Sequence, residues 1–344
     1  MPEDRLASII LAGKDKGLSG AIREYWEKTF NNFIYRNRFI IGKNKALLPM
    51  SKPNGRIYTT LDFMIREQKA AVQIDEDHVV AVGPKDDIEK KLQVEDATVV
   101  EQGDNIGQNI LRAAEKIIER GYRGKYILLT TGDNPIPDAR SYDDAISSFR
   151  DICKEGDEVY CGLVDKSALG VWITENRLER FGIVKNEHHE PGKKRPKLHK
   201  YGFRFSDYDG LVEEGRHPVL TYGNIFVMDR DSLLRDDAED KANHLFSLKR
   251  TVIDPRNWFR LLTETGTDIL KLVKGELSIP ELEEKFEHYE GIKAKVFVVP
   301  EQFALDFDLR VDWWRASEHI ARNLENYQLY EEIQKQGATY RQVR

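Results

Sequence analysis

The sequence predicts a three-layer α/β fold, a mainly parallel (mixed) sheet with helices on both faces, and three observations point to it. Short apolar runs rich in β-branched residues fall at 7–11, 79–82, 98–100, 126–129 and 159–163. Stretches of helical periodicity separate them, the alternation that builds βαβ units around parallel strands. A chain of 344 residues is also long enough for one large core with additions.

The first run, Ala7-Ser8-Ile9-Ile10-Leu11, passes through Ala12 and Gly13 into a segment with Lys14, Lys16, Gly17 and Gly20. A strand that ends in a glycine turn before a helix presents backbone N–H groups to an anion, and ligands of open α/β sheets bind at that edge. A plain tight turn is the alternative. Next comes Lys45-Ala46-Leu47-Leu48-Pro49, ahead of a second helix expected over 55–65. A lysine here can neutralise a triphosphate as a compact charge, or can be an ordinary surface lysine.

The clearest helix is expected over 105–120, where Ile106, Ile110, Ala113, Ala114, Ile117 and Ile118 share one face and Gly121 marks the end. Gln102 and Gly103 close the strand before it. The run at 126–129 continues through Thr130 and Thr131 into Gly132, Asp133, Asn134 and Pro135. A carboxylate at the carboxyl end of a buried strand needs a cation or a donor, and Mg²⁺ is the usual hard, oxygen-seeking partner beside phosphates. Capping of the following turn is the other role open to Asp133.

The second half is more mixed. Strands are expected at 171–174, 181–185, 223–228 and 295–299, helices at 255–262, 280–289 and 313–336, and an exposed loop over 186–200. The span 229–291 reads as a helical insertion between two strands, with Trp258, Phe259, Leu261 and Leu262 at helical spacing. Those residues suit a packed subdomain, with a homo-oligomer interface or an acceptor lid as the other readings. The core is then 1–228 with 292–315, followed by a C-terminal helix over 316–344. Near its end, Asp306 and Asp308 fall on one side of an extended segment, where they can share a metal, and Asp312 caps the next helix.

Composition excludes several classes. A formal net charge of −6 argues against a nucleic-acid backbone as the main partner. Cys153 and Cys161 match neither a metal knuckle nor a disulfide framework, which favours a reducing compartment. The opening apolar stretch is too short for a signal or a membrane span, so a cytoplasmic protein without membrane contact is expected.

Taken in order, these segments resemble the GT-A-type nucleotidyltransferases, a Rossmann-like group that includes sugar-1-phosphate nucleotidyltransferases and molybdenum-cofactor guanylyltransferase-like enzymes. Ile9 to Gly13 looks like that group's opening strand and glycine loop, Lys45 to Pro49 like its lysine motif, and Gly132-Asp133-Asn134-Pro135 like its metal-binding motif. Asp306-Phe307-Asp308 looks like the closing segment that supplies a second metal carboxylate. Softer matches are Arg180 to Val184 and Tyr222 to Asp229, the latter similar to the acceptor-pocket strand. The opening loop departs from the family, whose Gly-Gly-x-Gly-Thr-Arg is here Gly13-Lys14-Asp15-Lys16-Gly17-Leu18. Its arginine is missing, and Lys14 or Lys16 stands where a positive charge could replace it.

The resemblance implies transfer of a nucleoside monophosphate from a nucleoside triphosphate to a phosphorylated small-molecule acceptor, a sugar or polyol phosphate, with release of pyrophosphate. It implies Mg²⁺ as cofactor, held by Asp133 with Asp306 and Asp308. Lys45 would act with Asp133 in catalysis. Leu11, Ala12, Gly13, Lys14, Lys16, Gln102, Gly103 and Gly132 would bind the nucleotide, and Gly223 and Asn224 the acceptor. A catalytically degenerate, nucleotide-binding regulatory subunit and a GT-A glycosyltransferase are the competing expectations.

Overall fold

The computed structural model describes residues 5–13, 44–50, 58–176, 184–185, 197–198, 202–208, 219–253, 268, 271, 274–305, 316–317 and 319–320. Among these residues the main sheet has seven strands. Five come from the expected runs: β1 (Leu6–Leu11), β2 (Ile74–Gly83), β3 (Thr98–Glu101), β4 (Tyr126–Thr131) and β5 (Val159–Asp165). A two-residue pair, β6 (Val184–Lys185) and β7 (Lys197–Leu198), stands apart, and β8 (Leu220–Asp229) and β9 (Ala294–Val298) complete the main sheet.

The strand order is β3-β2-β1-β4-β8-β5-β9, and β8 alone runs antiparallel to its neighbours β4 and β5. The carboxyl ends of the six parallel strands therefore lie on one edge of the sheet, together with the start of β8. That edge holds every candidate site residue that the described residues include.

Helices cover both faces. Among the described residues these include α1 (Thr60–Ala70), α2 (Lys85–Glu89), α3 (Ile106–Glu119), α4 (Ala139–Ile152), α5 (Lys166–Glu175), α6 (Arg230–Leu233), α7 (Ala238–Ile253) and α8 (Ile279–Glu290). Alternation along the central strands feeds two cores, as the pleat requires. Ile10 and Leu128 join Leu61, Met64 and Ile65 of α1 and Tyr142, Ile146 and Phe149 of α4 on one face. Ile9, Ile127 and Leu129 join Ile110, Ala113 and Ile117 of α3 and Leu245 of α7 on the other. The three-layer expectation therefore holds. The helix expected over 105–120 forms as α3, with Asn105 as its cap accepting from Gln108 N–H.

One expectation is corrected. Residues 171–174, expected as a strand, lie in α5. The apolar run there has no period that separates a strand from a buried helix, and the decision comes from outside it. Asp165 Oδ1 accepts from the N–H groups of Ser167 at 2.7 Å and Ala168 at 3.2 Å, which starts a helix. Leu169 and Ile173, four residues apart, are then fully buried on one face. The helix expected over 55–65 begins at Thr60, set by a capping box between Thr59 and Asp62. Residues 181–183 and 255–262 lie outside the described residues, as do most of 186–200 and 313–336.

A buried polar cluster ties the layers together below the site. Ser8 Oγ donates to Gln68 Oε1 at 2.7 Å, and Gln68 Nε2 donates to Thr130 Oγ1 at 3.0 Å and to Tyr142 Oη at 3.2 Å. Burial holds the Tyr142 hydroxyl well above the usual tyrosine range, so it stays a neutral hydrogen-bonding group. Gln68→Leu removes the shared partner of β1, β4 and α4 and strands three buried polar atoms. The expected loss of stability is about 3 kcal/mol, because each stranded group costs roughly 1–3 kcal/mol. Urea denaturation monitored by circular dichroism measures it.

Candidate functional site

The site grows from the end of β1. Ala12 N–H donates to Val82 O at 2.8 Å, which keeps β1 and β2 paired to their last residues and delivers Gly13 at the sheet edge. Lys14 and Lys16 fall in 14–43, outside the described residues. The chain is described again at Asn44, and that residue does two things. Its Nδ2 donates to Ala12 O at 2.8 Å, and its Oδ1 accepts from Ala46 N–H at 3.0 Å, capping a short 3-10 turn at Lys45–Leu47. Ala46 and Leu47 are buried, so the turn is anchored and Lys45 is held beside the end of β1.

The end of β4 meets the same place. Gly132 N–H donates to Leu11 O at 2.8 Å. A Cβ at Gly132 would stand 2.8 Å from Leu11 O and 3.2 Å from Ala46 Cβ, so only glycine lets β4 pass this close to both β1 and the lysine turn. Asp133 follows, and its Oδ2 lies 3.4 Å from Lys45 Nζ. Each side chain is 26% exposed, so the pair is open to a ligand. Two residues 88 positions apart in sequence are thus joined at the sheet edge next to the glycine turn.

Asn134 fixes the next turn. It is buried, and its Nδ2 donates to Gln302 O at 2.9 Å, which ties the Asp133 loop to the 3-10 turn Glu301–Ala304. Asp306 and Asp308 come directly after Leu305, the buried residue that ends this turn; they and Asp312 lie outside the described residues. Among the described residues no three His, Cys, Asp or Glu side chains gather as a metal cluster.

On the β2–β3 side, Gln102 N–H donates to Gly83 O at 2.9 Å, and the Gln102 side chain is buried. Gly103 N–H donates to Asn109 Oδ1 at 2.6 Å. A Cβ placed on Gly13 would lie 3.2 Å from Asn109 Nδ2 and 3.5 Å from Gln102 Oε1. Gly13, Gln102, Gly103 and Asn109 therefore lie together in one cluster.

On the other side of Asp133, Thr130 pairs with Ile225, so Asn224 and Gly223 extend past that pair toward the ligand edge. Asn224 is buried, and Gly223 sits where a Cβ would come 3.0 Å from Gly162 O. Farther along, Asp165 at the end of β5 also accepts from Tyr208 Oη at 3.0 Å. Burial, reinforced by that carboxylate, raises the Tyr208 hydroxyl above its usual range, which keeps it the donor. The neighbouring Lys166 ammonium is pushed down by burial.

The structure thus brings Leu11, Ala12, Gly13, Lys45, Gly132 and Asp133 together, with Gln102 and Gly103 on one flank and Gly223 and Asn224 on the other. Sequence reasoning missed Asn44, Asn109 and Asp165. Asn44 carried a readable signal, since Asn immediately before a short turn is a standard cap. Asn109 carried none, being one more polar residue on an amphipathic helix.

No family model matches the chain, and no curated protein matches it. Among solved structures, a hypothetical transferase from Thermus thermophilus is 20% identical, with a TM-score of 0.53 over 90% of this chain and 99% of the other. That likeness is one of fold. Two looser likenesses are a CMP:2-keto-3-deoxy-manno-octonic acid synthetase complexed with CTP and a 4-diphosphocytidyl-2C-methyl-D-erythritolsynthase from Anaerococcus prevotii. The first is 14% identical (TM-score 0.44) and the second 10% (0.43); each match covers 93% of this chain and 99% of the other. No helix among the described residues is long and apolar enough to cross a membrane.

Proposed function

We propose that this protein is a Mg²⁺-dependent nucleotidyltransferase that moves a nucleoside monophosphate from a nucleoside triphosphate to a phosphorylated small molecule, a sugar or polyol phosphate, and releases pyrophosphate. The observation that carries the proposal is the Lys45–Asp133 pair, a cation and a carboxylate 3.4 Å apart beside Gly13 at the ligand edge of the sheet. The order of motifs along the chain supports the same reading.

Asp133 offers the kind of oxygen donor that a hard cation takes. It is a partly exposed carboxylate at a strand end, with Asp306 and Asp308 as the proposed further oxygen ligands. Mg²⁺ bound there would neutralise charge on the α-phosphate and on the departing pyrophosphate. The protein's own groups do the rest. Backbone N–H groups at Gly13 and the ammonium of Lys45 hold the triphosphate and offset charge that develops on it. Gln102 and Gly103 take the nucleoside, and Asn224 with Gly223 orients the acceptor so that its phosphate oxygen stands in line with the α-phosphorus. That oxygen forms a bond to the α-phosphorus as the bond to the bridging oxygen of the β-phosphate breaks. Pyrophosphate leaves with the electron pair, and no covalent enzyme intermediate is needed.

Pyrophosphate release with Mg²⁺, measured for each of the four common ribonucleoside triphosphates against a pool of sugar and polyol phosphates, tests this. Release is expected only when both substrates are present. Mg²⁺-dependent nucleotide binding without release would favour the regulatory subunit, and transfer from a nucleotide-sugar without pyrophosphate would favour the glycosyltransferase.

A further inference from the structure

The cluster at Gly13 is backed by α7, which comes after β8 and α6 and packs against α3. Glu239 Oε1 accepts from Asn105 Nδ2 at 2.8 Å and from Gln108 Nε2 at 3.1 Å. Asn243 Oδ1 accepts from Gly107 N–H at 2.9 Å. The approach is close enough that a Cβ on Gly107 would stand 2.5 Å from Glu239 O, so this helix contact admits only glycine.

These bonds reach the cluster in two steps. Gln108, held by Glu239, uses its Oε1 to accept from Asp104 N–H at 2.9 Å, and a Cβ on Gly103 would come 2.5 Å from Gln108 Cβ. The loop 103–104 is therefore pressed onto Gln108. One residue on, Asn109 accepts from Gly103 N–H at 2.6 Å through Oδ1. That bond fixes the amide's orientation and leaves Nδ2, a donor, directed at Gly13. A donor whose direction is locked on a rigid helix can recognise an acceptor on a nucleoside, whereas a phosphate chain would be held by the backbone and Lys45.

We propose that Glu239 and Asn243 are positioning residues for the nucleoside: α7 clamps the first turn of α3, and so holds Asn109 Nδ2 as a nucleoside-reading donor. This rests on the nucleotide reading above. It gives the segment between β8 and β9 a role in nucleotide affinity that its place on the acceptor side of the sequence does not suggest. Both side chains act as acceptors, so Gln at 239 and Asp at 243 can replace them, and alanine cannot.

The test is titration calorimetry with Mg²⁺, using the four ribonucleoside triphosphates and, as a probe without a nucleoside, inorganic tripolyphosphate. Glu239→Ala, Asn243→Ala and Asn109→Ala are each expected to weaken the preferred nucleotide about tenfold, the scale of one oriented hydrogen bond lost. Tripolyphosphate affinity should stay within about twofold, and Glu239→Gln and Asn243→Asp should restore nucleotide affinity. Thermal melting checks that each variant folds, and Asn243→Ala, which removes only the bond to Gly107 N–H, decides the matter if Glu239→Ala does not fold. Nucleotide and tripolyphosphate weakening together would reduce the clamp to general support of the fold and overturn the inference. Unchanged nucleotide affinity in the three alanine variants would overturn it as well, with the nucleotidyltransferase intact. A wild-type protein that binds no nucleotide would sink both.

Discussion

Asp133→Asn is expected to lower turnover by about a thousandfold while the melting temperature stays within a few degrees of wild type. The size follows from what the carboxylate does. It lies 3.4 Å from Lys45 at the end of β4, and a preorganised charge lost from a site of developing charge typically costs two to three orders of magnitude, about 10²–10³ in rate. Loss of a metal ligand adds to that. The fold is spared for a separate reason. Asparagine is nearly isosteric, the side chain is 26% exposed, and its amide oxygen can still accept from Lys45. The turn itself is held by Gly132 N–H and by the buried Asn134, neither of which the substitution touches. Steady-state kinetics beside a melting curve separate the two effects. Wild-type turnover in this variant would remove Asp133 from the site.

Lys45→Ala is expected to lower kcat by about a hundredfold, with a smaller rise in KM for the triphosphate. An ammonium that stabilises charge mainly as the pyrophosphate departs shows itself in kcat, whereas one that only binds the ground state shows itself in KM. Lys45→Arg should recover only part of the loss, because the guanidinium is planar and larger than the compact charge this turn presents. The pair should also be non-additive: in Lys45→Ala/Asp133→Asn the combined loss should fall short of the product of the two, since the groups are 3.4 Å apart and serve the same phosphate. A KM effect alone would make Lys45 a binding residue.

The sheet was legible because its strands are written as short β-branched runs ended by turn residues. Ala7 to Ile10, Val79 to Val82 and Ile127 to Leu129 are each buried on both faces, and such runs need no alternation to be recognised. The same rule misled at 171–174, where an equally apolar run became α5 because Asp165 caps it from the end of the preceding strand. A helix start that depends on a residue in another element is not written in the run itself. At the site, Asp133 could be named from its strand-end setting and Lys45 from the apolar turn it opens, but that they meet could not. The meeting depends on Gly132, which allows close approach to Leu11 O and Ala46, and on Asn44, which pins the lysine turn to Ala12. Asn109 was illegible for a different reason: its amide has meaning only after Gly103 N–H fixes which way it points.

The central claim is that the α-phosphorus is the atom attacked. With the acceptor found in the pyrophosphate screen, the fate of two labels decides it: the preferred triphosphate labelled at the α-phosphate in one reaction and at the γ-phosphate in another. Nucleotidyl transfer predicts α-label in the acceptor product and γ-label in pyrophosphate, in equal molar amounts. Recovery of γ-label in the acceptor, or as free phosphate with α-label left in a nucleoside diphosphate, would contradict it.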